Sequence, residues 1–132
     1  MSVEFRCLRN YISATRLSSA YQPLIIGNLV RDHAGASIDT IASTFHAHEN
    51  YHDQHYYVDL LRSNEPGTPS EVLADMGIVI RQGDIFRLRV NPNNMTDQER
   101  TAIIQFCEEL ARPWHIDRKT LRWTKRHQPS AK

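Results

Sequence analysis

The chain holds 132 residues, 40% of them hydrophobic and 23% charged, enough for one domain with an ordinary core. No run approaches the roughly 18–20 apolar residues of a membrane helix. The N-terminus MSVEFRCLRN has no apolar signal core, so the expectation is a cytoplasmic protein. Charge is unevenly spread. Residues 1–111 carry nine Lys/Arg against fourteen Asp/Glu, net −5; residues 112–132 carry seven Lys/Arg and one acid, net +6. A basic end on a mildly acidic body suits an anionic partner, although a solvated tail has the same composition.

Taken in chain order, Val3, Phe5, Leu8 and Ile12 predict a first helix over 3–13. Residues 14–20 read as a connection. Tyr21-Gln22-Pro23 opens a second helix with Pro in its first turn. Leu24, Ile25, Ile26, Leu29 and Val30 make it a core helix, ending near His33-Ala34-Gly35. Ser37 is an N-cap for a third helix, Ile38–Phe45, with Ile38, Ile41, Ala42 and Phe45 on one face. After a polar stretch at 46–51, a further helix is expected over His52–Leu61, anchored by Tyr56, Tyr57, Leu60 and Leu61.

Asn64–Gly67 is a turn. Thr68-Pro69 then starts a short helix in which Thr68 can cap the orphan amides, and Val72, Leu73 and Met76 form a stripe. Gly77 ends it in left-handed geometry. Ile78–Arg81 and Ile85–Arg89 read as strands joined by a Gln82-Gly83-Asp84 turn. Thr96 and Glu99 form a capping box for a long helix to about Arg112, whose apolar face is Ile103, Phe106, Cys107 and Leu110. Pro113 limits it.

Residues 114–132 have little periodicity; Trp114, Leu121 and Trp123 can pack locally, and the last six or so are expected to be disordered. Cys7 and Cys107 read as buried, reduced thiols. The fold class expected is mainly α with a small β-hairpin, a winged helix-turn-helix over 1–112, followed by a basic, partly disordered extension over 113–132.

The segments YQPLIIGNLV, ASIDTIASTF, HYYVDLL, PSEVLADMGIVIRQGDIFRL and MTDQERTAIIQFCEEL follow one another in this order. Over about residues 20–112 the set resembles the N-terminal winged-helix segment ahead of the catalytic domain in bacterial and phage HNH-type restriction endonucleases. The resemblance implies a DNA-binding, targeting module. The chain departs from that pattern where the nuclease centre would follow, with no Cys after Cys107. The expected partners are therefore double-stranded DNA, plain or modified, and a nuclease domain or subunit. The chain itself is expected not to be an enzyme and to carry no catalytic residue, metal or cofactor.

His48-Glu49-Asn50-Tyr51-His52 spells H-E-x-x-H, in which two His one helical turn apart bind zinc and Glu activates water. No long apolar helix surrounds it, Asp53 follows it, and solvated His at a helix junction explains it as well. A small zinc hydrolase is the remote alternative. No G-x-S-x-G elbow and no Gly-rich phosphate loop occur.

The basic residues offer more. If Ile78, Ile80, Phe86 and Leu88 face inward, Arg81, Arg87 and Arg89 line the outer face of the hairpin, with Gln82 at its turn, where they suit phosphate contacts. Ordinary outward charge on a half-buried ribbon is the competing explanation. The helix at 68–76 offers Thr68 and Ser70 to DNA, but also Glu71 and Asp75, which repel phosphate. The helix at 52–62, with His52, His55, Tyr56 and Arg62, is the other candidate for reading DNA. Arg118, Lys119, Arg122, Lys125 and Arg126, interleaved with Trp114, Leu121 and Trp123, fit an electrostatic clamp. A winged helix that binds another protein, without DNA affinity, fits the acidic body.

Overall fold

The computed structural model describes residues 1–14, 19–63, 65 and 68–125, with Ser70 known by its backbone only. Among them the order is α1 (Val3–Ala14), α2 (Tyr21–Arg31), β1 (Ala36–Ser37), α3 (Ile38–His48), α4 (Gln54–Arg62), α5 (Pro69–Asp75), β2 (Val79–Gln82), β3 (Ile85–Leu88), α6 (Asp97–Ala111), β4 (Trp114–Ile116) and β5 (Trp123–Lys125). A single 3-10 turn, Pro92–Asn94, precedes α6. The chain is mainly helical with a small antiparallel sheet, and none of the described helices is long and apolar enough to cross a membrane.

Helix α2 runs through the middle. Ile25, Ile26, Leu29 and Val30 are each at most 1% exposed, so apolar side chains cover nearly its whole girth. It packs most extensively on α6, where a Cβ added at Gly27 would lie 3.3 Å from the Cβ of Cys107. The absent side chain lets the two helices approach. Its one buried amide is satisfied: Asn28 Nδ2 donates to Asp32 Oδ2 at 2.8 Å, and Thr44 Oγ1 donates to Asn28 Oδ1. Helix α1 closes the core with Phe5, Leu8 and Ile12, spaced as one helical face. Its start is tied to α6, where Ser2 N donates to Glu99 Oε2 at 2.9 Å. Glu99 also completes the capping box with Thr96. The N–H groups of Thr96 and Ser2 hold its carboxyl below the usual range.

The sheet order is β1-β3-β2, all antiparallel. Strand β1 is only two residues long and carries no alternation that could announce it. Ala36 pairs with Phe86 and Ser37 with Ile85. This pairing brings the chain at Gly35, φ +116°, against β3. A Cβ there would lie 2.9 Å from Arg87 Cγ and 3.2 Å from the Phe86 carbonyl oxygen.

The β2–β3 register corrects the sequence reading. Gln82 pairs directly with Ile85, so the loop is the two-residue Gly83-Asp84, with Gly83 at φ +60°. A three-residue Gln82-Gly83-Asp84 turn would instead oppose Arg81 to Ile85. That one-residue difference exchanges the faces of β2. Val79 and Arg81 lie on the side of Phe86 and Leu88, while Ile80 lies opposite Arg87 on the outer side.

Several boundaries also move. Helix α3 continues to His48, beyond Phe45, and α4 begins at Gln54 because Asp53 Oδ1 accepts from Tyr56 N at 2.9 Å. Thr68 stands at the α5 N-cap position, yet its hydroxyl donates backwards to the Glu65 carbonyl at 3.0 Å instead of accepting from the helix. Gly77, φ +74°, ends α5 as the spacing predicts: Ile78 N donates to Leu73 O and Gly77 N to Ala74 O.

Residues 114–125, aperiodic in sequence, form a second hairpin in which Trp114 pairs with Lys125 and Ile116 with Trp123. Arg126 and the expected disordered end lie outside the described residues. Cys7 is exposed, not buried; Cys107 is 1% exposed, and burial pushes its thiol up to about 12.

Gly35→Ala is expected to lower unfolding free energy by about 2 kcal/mol, since it adds a clash to a φ that L-residues avoid. A denaturant melt measures this. A thiol reagent is expected to modify Cys7 quickly in the native protein and Cys107 only after unfolding, which mass spectrometry of timed aliquots checks.

Candidate functional site

Three elements meet around α4. Its core face holds Tyr57, Val58 and Leu61, all buried. Tyr57 crosses Phe45 and Tyr21 edge-on, at ring separations of 5.7 and 6.4 Å, and its hydroxyl donates to the Glu49 carbonyl at 2.7 Å. Burial, then the Glu49 charge, pushes the Tyr57 phenol up to about 12. The opposite face, with Gln54, His55, Asp59 and Arg62, is exposed. His55 Nε2 lies 3.5 Å from Asp59 Oδ2.

The β2–β3 hairpin meets the C-terminal end of α4. Arg81 Nη1 donates to the carbonyls of Leu61 and Arg62 at 3.2 and 3.3 Å, and Arg81 Nε donates to Gly83 O at 2.9 Å. Its guanidinium also stands 5.7 Å from the centre of the Phe86 ring. Arg81 is thus a bracket between helix and hairpin instead of the outward cation expected. The register explains the difference.

Arg62 Nη2 donates to Asp84 Oδ2 at 3.1 Å with both side chains about half exposed. Arg87 Nη2 donates to Gln82 Oε1 at 2.8 Å, and Arg89 Nε to Gly77 O at 2.9 Å; both arginines are exposed. Arg62 thus reaches the turn of the hairpin, Gln82 and Arg87 lie on its outer face, and Arg89 follows β3. Thr68, at the start of α5, lines a groove with Tyr56 and Arg122, and Ser70 is described by its backbone only; the helical residues of α5 include no cation and carry Glu71 and an exposed Asp75.

The β4–β5 hairpin meets the approach to α4. Its anchors are residues that spell the metal-like motif. His48 Nε2 donates to Trp114 O at 2.9 Å, and Ile116 N donates to Glu49 Oε2 at 3.0 Å. Trp123 meets Tyr21 edge-on at 4.9 Å, and Arg118 stands 5.3 Å from the Tyr51 ring centre. Leu121 and Arg122 face His52, Tyr56 and Leu60 across a groove of about 560 Å³.

The turn between the strands is held by Asp117. Its Oδ1 accepts from Thr120 N at 2.9 Å and Lys119 N at 2.8 Å, which keeps its carboxyl below the ordinary range. Leu121 follows with φ +59° and 57% exposure. Arg118, Lys119, Arg122 and Lys125 are all exposed on this hairpin.

The zinc geometry is not formed. Helix α3 ends at His48, Glu49 is extended at φ −142°, and His52 stacks on Tyr56 at 3.7 Å in the approach to α4. The two histidines are not one helical turn apart. Among the described residues no group of three or more His, Cys, Asp or Glu is placed to hold a metal. Sequence reasoning missed Glu49, His48 and Tyr51 as the seat of the second hairpin. Their polarity attracted a catalytic reading, and the backbone groups they bond carry no signature of their own.

No family model matches the chain, nor does any curated protein or solved structure.

Glu49→Ala is expected to free the Ile116 amide and raise hydrogen exchange across 114–125, with a global loss of about 1–2 kcal/mol. Exchange monitored by mass spectrometry, alongside a melt, separates the two effects.

Proposed function

We propose that this chain is a winged-helix module that binds double-stranded DNA in the cytoplasm. By its resemblance to the segments ahead of HNH-type restriction nucleases, it serves as the targeting part of such a system. Cleavage then belongs to a nuclease domain or subunit. The observation that carries the reading is the arrangement of the sheet and its cations. The element order α2-β1-α3-α4-α5-β2-β3, with strand order β1-β3-β2, suits a helical domain with a protruding wing. That wing exposes Arg87 and Arg89, and Arg62 of α4 reaches its turn at Asp84.

Phosphate contacts of this kind position a duplex without reading its sequence. The ordered basic hairpin at 114–125 adds charge to the same reading, which makes the binding salt-sensitive. The acidic residues of α5 and the net charge of −5 over residues 1–111 favour a second reading, a winged helix that docks on another protein.

Fluorescence anisotropy with a random duplex, plain and modified, tests the choice at about 50 and about 200 mM salt. For six or so phosphate contacts the affinity is expected to fall by roughly a thousandfold across that range. Arg87→Ala/Arg89→Ala is expected to weaken it at both salts. No binding by folded protein at the lower salt overturns the DNA reading and favours the protein-docking one.

A further inference from the structure

We infer that α4, and not α5, is the helix that enters the DNA groove, and that the β4–β5 hairpin acts as a second wing at its N-terminal approach. The inference rests on the DNA reading above and gives it a geometry. Helix α4 has nine residues, and a helix with its side chains is about 10–12 Å across. A B-form major groove is about 12 Å wide. One basic hairpin is fixed at the C-terminal end of α4, through Arg81 to the Leu61 and Arg62 carbonyls and through Arg62 to Asp84. The other is fixed at its N-terminal approach, through Arg118 over Tyr51, and runs along the side that bears His52, Tyr56 and Leu60. Cations thus stand at the C-terminal end of α4 and again at its N-terminal approach, where they can meet phosphates on either side of a bound groove.

The outward face of α4 suits the space between them. Gln54, His55 and Asp59 are exposed hydrogen-bonding groups, and the one acid among them sits beside His55. Base edges offer donors and acceptors to such groups, whereas phosphates do not tolerate acids. Helix α5 has the opposite character. It is seven residues long and its helical residues include no cation. It is followed by Met76, which accepts from the Tyr11 hydroxyl on α1 at 3.4 Å.

The second hairpin is suited to bear load. Its strands hydrogen-bond to side chains of α3 and its approach through His48 and Glu49. Asp117 closes its turn. Arg118, Lys119 and Arg122 are therefore carried on a fixed ribbon and not on a mobile tail.

Charge placed on each helix distinguishes the two, because a new carboxylate weakens binding only where DNA lies. With a random duplex at about 50 mM salt, His55→Glu is expected to lower affinity about tenfold or more, and Ala74→Glu by less than about twofold. Arg118→Ala/Lys119→Ala/Arg122→Ala is expected to reduce the slope of log affinity against log salt by roughly two to three, one step per phosphate lost. All five substituted residues, Ala74 included, are exposed, and circular dichroism melts check that each variant is folded. The inference is overturned if Ala74→Glu is the more damaging substitution, or if the triple variant keeps the wild-type slope; wild-type binding then leaves the DNA reading standing. Failure of the wild-type protein to bind duplex removes the DNA reading itself, and this geometry with it.

Discussion

Helix α2 has almost no outer face, and the rest of the molecule is arranged to cover it. Four of its aliphatic side chains are essentially sealed from solvent, so each side needs a partner. Helix α6 takes one side, where Gly27 removes the side chain that would hold Cys107 away. Helix α3 and strand β3 take others. Burying apolar surface has no directional preference, so it explains a compact core but not the full placement of the hairpins. Val79, Phe86, Leu88 and Ile116 bury each hairpin's inner face, and polar contacts fix the rest of their placement. Arg81 binds the end of α4, and Glu49 and His48 bind the second hairpin. The division is physical: nonpolar area sets the body, and a few hydrogen bonds to backbone groups complete the placement of what protrudes from it.

Much of the body was legible in the sequence because helices announce themselves through spacing and caps. Phe5, Leu8 and Ile12, the Ser37 cap, the Thr96–Glu99 box and the Gly77 terminus all appear where spacing places them. The strands were harder. Two short strands, β1 and β4, pair with segments far along the chain or beyond a turn, and neither has enough residues to show a period of two. The β2–β3 hairpin stands where the sequence places it, but with the faces of β2 exchanged. Ile78-Val79-Ile80 is apolar at three consecutive positions, so alternation could not choose a face, and the turn length decided it.

The candidate site was legible as a list of cations and not as a surface. Composition identified Arg62, Arg87, Arg89 and the 118–125 cluster, but nothing in their spacing says that one hairpin meets the C-terminal end of α4 and the other its N-terminal approach. Nor does spacing distinguish a catalytic histidine from a structural one. His48 and Glu49 fit a metal pattern in one dimension, and in three dimensions a helix end separates them from His52. The residue types that bind metals are the same types that satisfy exposed backbone amides and carbonyls.

Arg81 has an electrostatic effect that its hydrogen bonds alone do not convey. The last carbonyls of a helix gather about half a negative charge, and a polyanion approaching that end is repelled. Arg81 lays a full positive charge on the Leu61 and Arg62 carbonyls. Arg62 is paired with Asp84, so it is Arg81, turned inward, that offsets the end of α4 adjoining the β2–β3 hairpin. For a phosphate-rich partner, a residue turned inward by the register still shapes the field outside, by cancelling the repulsive pole of the helix it supports.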